Sequence, residues 1–402
     1  MSRTIPPWLA VALAAFCIGW GGNQFTPMLI EYVQYAGYTR VDVDVLLGAY
    51  VLGLIPGLLV AAALSNRHGR RPVMIAGLVS SAVGSLVIAC GDFWGFPALL
   101  AGRLLCGVSV GIAMAVGSAW ITELSRPPYD DADAGTGARR ASIWLSLGLA
   151  VGPLCAGLLG QFAPLPLALT YIVHAVICVP ALWMLKAVAV ETRTERTPTS
   201  IMSSLKVPAA SHRRFLRVVV PMAPWVFGSA AIAYAIVPAL VSEKIGQWAL
   251  LYTSGLTVLT LACGVLVQPI ARRLDDHSSA RAVVVSMVLM SLGVFAAVAT
   301  AITESPIAAV LVAMLLGSAY GIAIVSGLLE IQRIAEPDEL AAISGIYYAL
   351  AYVGFLLPAV LAGLAHYVSY PVMLTAVGIL AAASTAICAA GWSKHLPAGT
   401  DA

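Results

Sequence analysis

Residues 62–71 read AALSNRHGRR. A long apolar run ends there, residues 67–71 carry three arginines and a histidine, and another apolar run begins at Pro72. A chain that turns from oil to charge and back over so few residues is crossing a lipid–water boundary. Short loops rich in arginine stay on the cytoplasmic side of a bilayer. Arg67, Arg70 and Arg71 therefore orient everything on either side of them.

The composition agrees with a membrane chain. Of 402 residues, 60% are hydrophobic and 10% charged, where a soluble domain carries about a quarter charged. The mean hydropathy is +0.92. A spanning barrel would show short alternating segments. Here the apolar runs are unbroken for about twenty residues, the length that crosses roughly 30 Å of hydrocarbon. The expected class is all-α, polytopic and membrane-embedded. A net charge of +3 gives no reason to expect a nucleic-acid partner. The seven cysteines stand singly in or beside apolar runs, with no CxxC spacing, and read as small buried hydrophobes. No cleavable signal peptide is expected, since the first run is too long and opens a series.

Twelve apolar runs follow, at 8–30, 46–64, 73–90, 97–121, 141–162, 167–185, 218–241, 248–271, 282–302, 307–329, 341–365 and 370–390. The longest hydrophilic stretch separates the sixth from the seventh. The expected organisation is a six-helix bundle over 1–185, a cytoplasmic linker over 186–217 and a second six-helix bundle over 218–402. Lysine and arginine test it. The even-numbered junctions hold Arg67, Arg70, Arg71, Arg126, Arg139, Arg140, seven cations of the linker, Arg272, Arg273, Arg281 and Arg333, and the termini add Arg3 and Lys394. The opposite side holds Arg40 and Lys244, with Arg103 left inside a helix. Both termini are accordingly expected to be cytoplasmic, in the inner membrane.

The halves also echo each other. The second-to-third junction reads ALSNRHGRRP and the eighth-to-ninth reads QPIARRLDDH, each with an arginine pair at the same place in its half. Positive-inside sorting alone would place arginines there. Parallel repeats of this kind suit a transporter built of two bundles.

The twelve-run ladder, the central linker and three local patterns resemble the major facilitator superfamily over essentially the whole chain. The first pattern is the loop Gly-x-x-x-Asp-Arg-x-Gly-Arg-Arg. This chain supplies Asn66, Arg67, Gly69, Arg70 and Arg71, with Ala62 for the first glycine and Asn66 for the acid. The resemblance implies a cytoplasmic latch, weaker or arranged differently without the acid. Gly69 permits the tight turn. The second pattern is RLLCGVSVG, 103–111, in which Arg103 precedes Gly107 and Gly111. The resemblance implies proton coupling or packing against the first helix. A charge inside a spanning helix faces protein or a wet cavity, unless it snorkels from near the helix end. The third is GLAVGPLCAG, 148–157, with Gly148, Gly152, Pro153 and Gly157. It is similar to the family's antiporter motif, which implies proton-driven export. Generic close packing of small residues is the other reading.

Further candidates come from the polar residues left in apolar runs. The first run holds GWGGNQFTPMLIE, 19–31, so Asn23, Gln24 and Glu31 are candidates for a substrate-facing or proton-carrying surface. His174 lies within the sixth run as another proton candidate. In the second half, Tyr234, Tyr348 and Tyr352 offer rings and hydroxyls to a moderately apolar ligand, Tyr348 and Tyr352 being four apart on one face. Glu330 and Arg333 close the tenth run, and Glu123, with Arg139 and Arg140 beyond it, is the first-half counterpart, as anchors of a gate.

The leading expectation is secondary transport by alternating access, exporting a small amphipathic or drug-like compound in exchange for protons. The alternatives are uptake or facilitated diffusion of a small organic nutrient, and a membrane sensor that binds ligand without moving it. Soluble catalysis finds no motif, and no cofactor or metal is expected. The expected partners are a small-molecule substrate, the coupling proton and membrane lipids. One chain of two bundles is expected to work as a monomer.

Overall fold

The computed structural model describes residues 5–133, 135–192, 207–336, 339–394 and 396. Residues 193–206, in the middle of the expected linker, and the outermost terminal residues are among those that lie outside these. Among the described residues eleven helical stretches are long and apolar enough to cross a bilayer. One of them, Phe215–Leu274, has 60 residues. At 1.5 Å per residue it would measure about 90 Å, three bilayer cores. It is two crossings that meet at Gly246, where φ is +61°. The protein is thus an all-α polytopic membrane protein with twelve crossings among the described residues.

The crossings are α1 (Pro7–Tyr35), α2 (Arg40–His68), α3 (Arg70–Ala89), α4 (Phe96–Leu124), α5 (Thr136–Phe162) and α6 (Pro166–Ala187). They continue with α7 (215–245), α8 (249–274), α9 (Arg281–Thr303), α10 (Pro306–Ile334), α11 (Ala342–Leu364) and α12 (Tyr370–Ala390). Several helices run past the apolar segments that announce them. The helix of the second run begins at Arg40 and ends at His68, because charged residues at the membrane surface remain good helix formers.

Contacts divide the chain into two compact units, Met1–Tyr38 with Leu46–Leu205, and Thr39–Val45 with Lys206–Ala402. Within the first unit, α6 shows how the sequence sorts itself. Ile172, Val176, Val179 and Trp183 form one exposed stripe, the last three being 63%, 65% and 67% exposed. Thr170, His174 and Cys178 form the buried stripe on the other side. The polarity is the reverse of a soluble helix, as lipid-facing surfaces require. α1 has no lipid stripe and is buried nearly all round, as expected of a helix without an apolar–polar asymmetry.

The two units use the same set of helix pairs. In the first, α1 packs on α5, α2 on α4, and α3 on α4 and α6. In the second, α7 packs on α11, α8 on α10, and α9 on α10 and α12. Glycine makes the closest approaches in both. A Cβ on Gly148 would lie 2.1 Å from the Phe16 carbonyl oxygen, and one on Gly354 2.1 Å from that of Pro224. A Cβ on Gly107 would lie 2.0 Å from the Tyr50 carbonyl oxygen, and one on Gly321 2.0 Å from that of Gly264. The echo read at two junctions therefore extends through the packing of both units, as a parallel repeat does.

Candidate functional site

In the first unit a polar seam runs between α1, α3 and α6. It begins with side chains spaced three or four apart, which share a helix face. α1 presents Cys17, Gly21 and Gln24, α3 presents Ser81 and Ser85, and α6 presents Thr170, His174 and Cys178. The Gln24 amide Nε2 donates to Ser85 Oγ at 3.0 Å. Ser85 Oγ meets His174 Nδ1 at 2.8 Å. His174 Nε2 lies 2.8 Å from the Cys17 carbonyl oxygen. His174, Ser85 and Gln24 are all fully buried. Gly21 gives the imidazole its seat, since a Cβ there would fall 2.6 Å from His174 Cε1 and 2.6 Å from Ser81 Oγ. Among the described residues, buried Gln24 Oε1, Ser81 Oγ, Thr170 Oγ1 and Trp20 Nε1 have no hydrogen-bond partner. Each such atom costs roughly 1–3 kcal/mol, so the seam is an expensive feature to keep in a membrane core.

Arg103 of α4 is 1% exposed. Its Nε donates to the Leu46 carbonyl at 3.1 Å and its Nη1 to the Gly22 carbonyl at 3.3 Å. Its guanidinium lies 4.6 Å from the Phe25 ring centre and 4.7 Å from that of Tyr50. Two carbonyls and two ring faces thus surround the cation, and no carboxylate pairs with it among the described residues. This is a buried position and excludes snorkelling. Tyr32 and Tyr171 touch hydroxyl to hydroxyl at 3.3 Å.

α1 is interrupted at Gln24, between the helical segments Pro7–Asn23 and Phe25–Tyr35. Pro27, which lacks an N–H, follows at once. Asn23 Nδ2 donates to the Leu149 carbonyl at 2.8 Å, and Thr26 Oγ1 donates to Asn23 Oδ1 at 2.8 Å. Asn23 and Gln24 therefore tie α1 to α5 and α3. Glu31 is 6% exposed and makes no ion pair among the described residues. Asp44, in the first turns of α2, is a further buried carboxylate, 4% exposed.

In the second unit the aromatic candidates separate into two contacts. Tyr352 stacks on Phe227 at 4.0 Å between ring centres and on Phe355 at 5.7 Å. Tyr234 reaches the same group through Phe355, at 6.1 Å, and Tyr320 through Phe227, at 5.6 Å. Tyr348 instead packs on Tyr347, at 5.5 Å, and the Tyr347 hydroxyl donates to the Ala323 carbonyl at 3.1 Å. Tyr348 and Tyr352 both lie in the regular helix Leu340–Val353, four apart on one face, and each meets a different ring, while the helix tightens to a 3-10 turn only beyond them, at Gly354–Leu356, and α7 widens to a π turn at Ile232–Ile236. Such irregular turns re-aim side chains and recur at functional sites. Phe227 and Phe355 carried a signal, lying seven before Tyr234 and three after Tyr352, that a search for hydroxyl-bearing rings overlooks.

The arginine-rich end of each unit is closed by an ionic network. Gly69, at φ +101°, is the whole loop between α2 and α3. The two oxygens of Glu191 accept from the backbone N–H groups of Arg70 and Arg71, each at 2.9 Å, as an acid capping a helix start does. A Cβ on Gly69 would lie 2.6 Å from Glu191 Oε2, so this glycine is needed for both its φ and its space. The Arg70 side chain pairs with Glu123 at 2.7 Å and donates to Ser65 Oγ at 3.0 Å. Thr192 donates to Glu123, and Trp120 Nε1 donates to the Val190 carbonyl at 2.9 Å. Arg67 is exposed and Asn66 half-buried. Glu123 thus takes Arg70, whereas Arg140 takes Asp130 at 2.5 Å and covers the Trp8 ring at 4.1 Å. In the second unit, fully buried Arg214 makes a two-pronged pair with Glu330. Arg333 bridges Glu330 at 2.6 Å and Asp275 at 2.5 Å. Arg214 and Glu191 were hidden among linker charges, and only the return of those segments to the helix ends reveals them.

A family model described as the Major Facilitator Superfamily matches residues 11–357. The chain belongs to the Major Facilitator Superfamily. Members of that superfamily are non-catalytic membrane carriers. The chain is 32% identical over 90 residues to the 3-(3-hydroxy-phenyl)propionate transporter of Escherichia coli K12, covering 22% of each chain. It is 30% identical over 138 residues to the class C tetracycline resistance protein of Escherichia coli, covering 34% of this chain and 33% of that one. The matched stretches thus span a fifth to a third of these relatives. Among solved structures, a POT family transporter in complex with 5-aminolevulinic acid superposes with a TM-score of 0.78 at 12% identity, over 98% of both chains. A D-xylose–proton symporter superposes with a TM-score of 0.72 at 16% identity, over 98% of both. These two likenesses concern the fold.

In this facilitator the fifth-helix motif is a packing surface. Gly148 and Gly152 lie against the backbone of Phe16 and Trp20, where a Cβ would come within 2.1 Å and 2.5 Å of a carbonyl oxygen. Pro153 and Gly157 are buried beside them, while Leu147, Leu154 and Leu158 face outward.

Proposed function

We propose that this facilitator is a proton-coupled importer of a small organic compound. The observation that carries the reading is the pair of protonatable groups in the first unit, Glu31 and His174, buried without an ionic partner among the described residues. Ionisable groups at such depth are costly and are kept where they do transport work. Within the second unit, the Phe227–Tyr234–Tyr352–Phe355 cluster offers rings to a ligand that combines an apolar body with few polar handles. Similarity to a phenylpropionate carrier and to proton-symporter folds supports uptake. The chain resides in the cytoplasmic membrane as a monomer, surrounded by lipid, with both termini on the cytoplasmic side, and it uses no cofactor besides the proton.

Export against protons is the second reading, favoured by GLAVGPLCAG and by the similarity to a tetracycline resistance protein. Purified protein in liposomes separates the two. The probes are 3-phenylpropionate, 5-aminolevulinate, D-xylose and tetracycline, first ranked by thermal shift. Uptake predicts that a stabilising probe accumulates inside liposomes when the outside is acid and that an uncoupler abolishes the accumulation. Accumulation only in inverted vesicles with an acid interior would overturn import in favour of export. Binding without any exchange would overturn transport itself.

A further inference from the structure

We infer that His174, Ser85 and Gln24 form a reversible hydrogen-bond relay around one protonation site, in which His174 Nδ1 takes the proton and the two other side chains reverse their hydrogen bonds in response. The inference deepens the proton-coupled reading above and rests on it for its physiological use.

The direction of each bond follows from donor chemistry. A backbone carbonyl only accepts, so His174 Nε2 carries a hydrogen and gives it to the Cys17 carbonyl. In the neutral ring Nδ1 is then an acceptor, and the Ser85 hydroxyl donates to it. Ser85 Oγ in turn accepts from the Gln24 amide. This chain points one way, from Gln24 through Ser85 to His174, and it leaves Gln24 Oε1 buried with no partner among the described residues.

A proton on Nδ1 reverses the chain. The imidazolium donates to Ser85 Oγ, and the hydroxyl must find a new acceptor. Half a turn of the Gln24 amide presents the orphaned Oε1, and the Cys106 thiol also contacts Ser85. No heavy-atom bond is made or broken. One proton enters at Nδ1 and the same proton leaves from it.

The surroundings keep the charged form short-lived. The titratable groups around the ring are the thiols of Cys17 on α1 and Cys178 on α6, with Cys106 on α4 beyond Ser85. Tyr171 on α6 and Tyr32 on α1 bond to each other. α3 faces the ring with Ser81 and Ser85, and α5, also packed on α6, carries Cys155 at mid-helix and Arg139 and Arg140 in its opening turns. Glu31 stands seven residues from Gln24 along α1, about 10 Å of helix rise. Arg103 is the buried cation of the unit, bound to the Gly22 carbonyl beside Gly21. No carboxylate pairs with His174 among the described residues. A positive charge buried here without a carboxylate partner is therefore released readily once a path to water opens, as a coupling proton must be.

The test reads protonation directly and needs no substrate. Protein labelled with 15N in its histidine rings is placed in lipid nanodiscs, and the His174 signal is assigned by its loss in His174→Gln. The relay predicts a neutral ring with hydrogen on Nε2 at alkaline pH and conversion to imidazolium as pH falls towards about 5. Ser85→Ala and Gln24→Leu, measured separately, each move the midpoint by at least half a pH unit, about a threefold change in proton affinity. A ring that keeps one tautomer unchanged to about pH 5 overturns the inference. So does a titration that neither variant moves. Because the wild-type spectrum suffices for the first result, a variant that fails to fold does not leave the matter open. Failure of proton-driven uptake would leave this titration standing, and the reverse also holds.

Discussion

Arg103 illustrates what a single buried charge needs in a bilayer. Its guanidinium is held by the Leu46 and Gly22 carbonyls and by the rings of Phe25 and Tyr50. Lysine would keep the charge but lose the planar fork that serves two carbonyls while lying on two rings. Arg103→Lys is expected to lower stability by about 1–3 kcal/mol, seen as a lower midpoint in a thermal-unfolding scan in detergent. An unchanged midpoint would mean that the bracket contributes nothing. Glu330 provides the complementary case. Glu330→Gln leaves Arg214 buried with its charge uncompensated, a loss of about 3–5 kcal/mol. Replacing both with apolar residues, Arg214→Leu with Glu330→Leu, is expected to recover most of that loss, although Arg333 and Asp275 share the network and the two effects will not simply add. The double variant being worse than Glu330→Gln alone would contradict this account.

At the scale of the element, helix spacing is set by glycine. Gly148→Ala and Gly321→Ala each drive a Cβ into a carbonyl oxygen of the facing helix, and overpacking of this kind costs about 1–3 kcal/mol. Gly255→Ala and Gly363→Ala, where a Cβ meets nothing within 4 Å, are expected to be neutral or slightly stabilising, since alanine is the better helix former. Thermal unfolding of the four variants checks the contrast. The turn between α8 and α9 supplies a control on pH. The N–H and hydroxyl of Ser278 and the hydroxyl of Ser279 bind Asp276 and hold its carboxyl down to about 2. A depressed carboxyl stabilises its turn above the ordinary aspartate range and loses that contribution only as pH falls through about 2. Asp276→Asn is therefore expected to leave the pH profile of transport between about 5 and 8 unmoved. A displaced profile would show that this turn takes part in coupling.

For the whole molecule, the arrangement of cations predicts the topology. Single cysteines at Arg67 and at Lys244, introduced into a chain lacking its own seven, are expected to react differently with an impermeant maleimide in intact cells. The Lys244 site should label and the Arg67 site only after lysis. Labelling of Arg67 from outside would invert the molecule and with it the direction of transport. The parallel repeat belongs to this scale too. The pairs α1–α5 and α7–α11, and α2–α4 and α8–α10, recur although the sequences of the halves agree only at scattered glycines and arginines. The repeat lies in the spacing of small residues along helices, which several sequences satisfy equally well.

The features legible in the chain before it folds follow from one-dimensional physics. The length of each apolar run, the side on which arginines collect and the glycine spacings in 103–111 and 148–157 fix the number of crossings, the family and the helix faces that meet. None of these needs knowledge of which residues distant in the chain become neighbours. The partners of charged and polar groups do need it. Glu191 over the start of α3, Arg214 inside Glu330, Arg103 between Phe25 and Tyr50, and the chain from Gln24 through Ser85 to His174 all join helices far apart in sequence. A buried polar group bonds to whatever donor or acceptor the packing brings within about 3 Å, and only the tertiary structure decides which one that is.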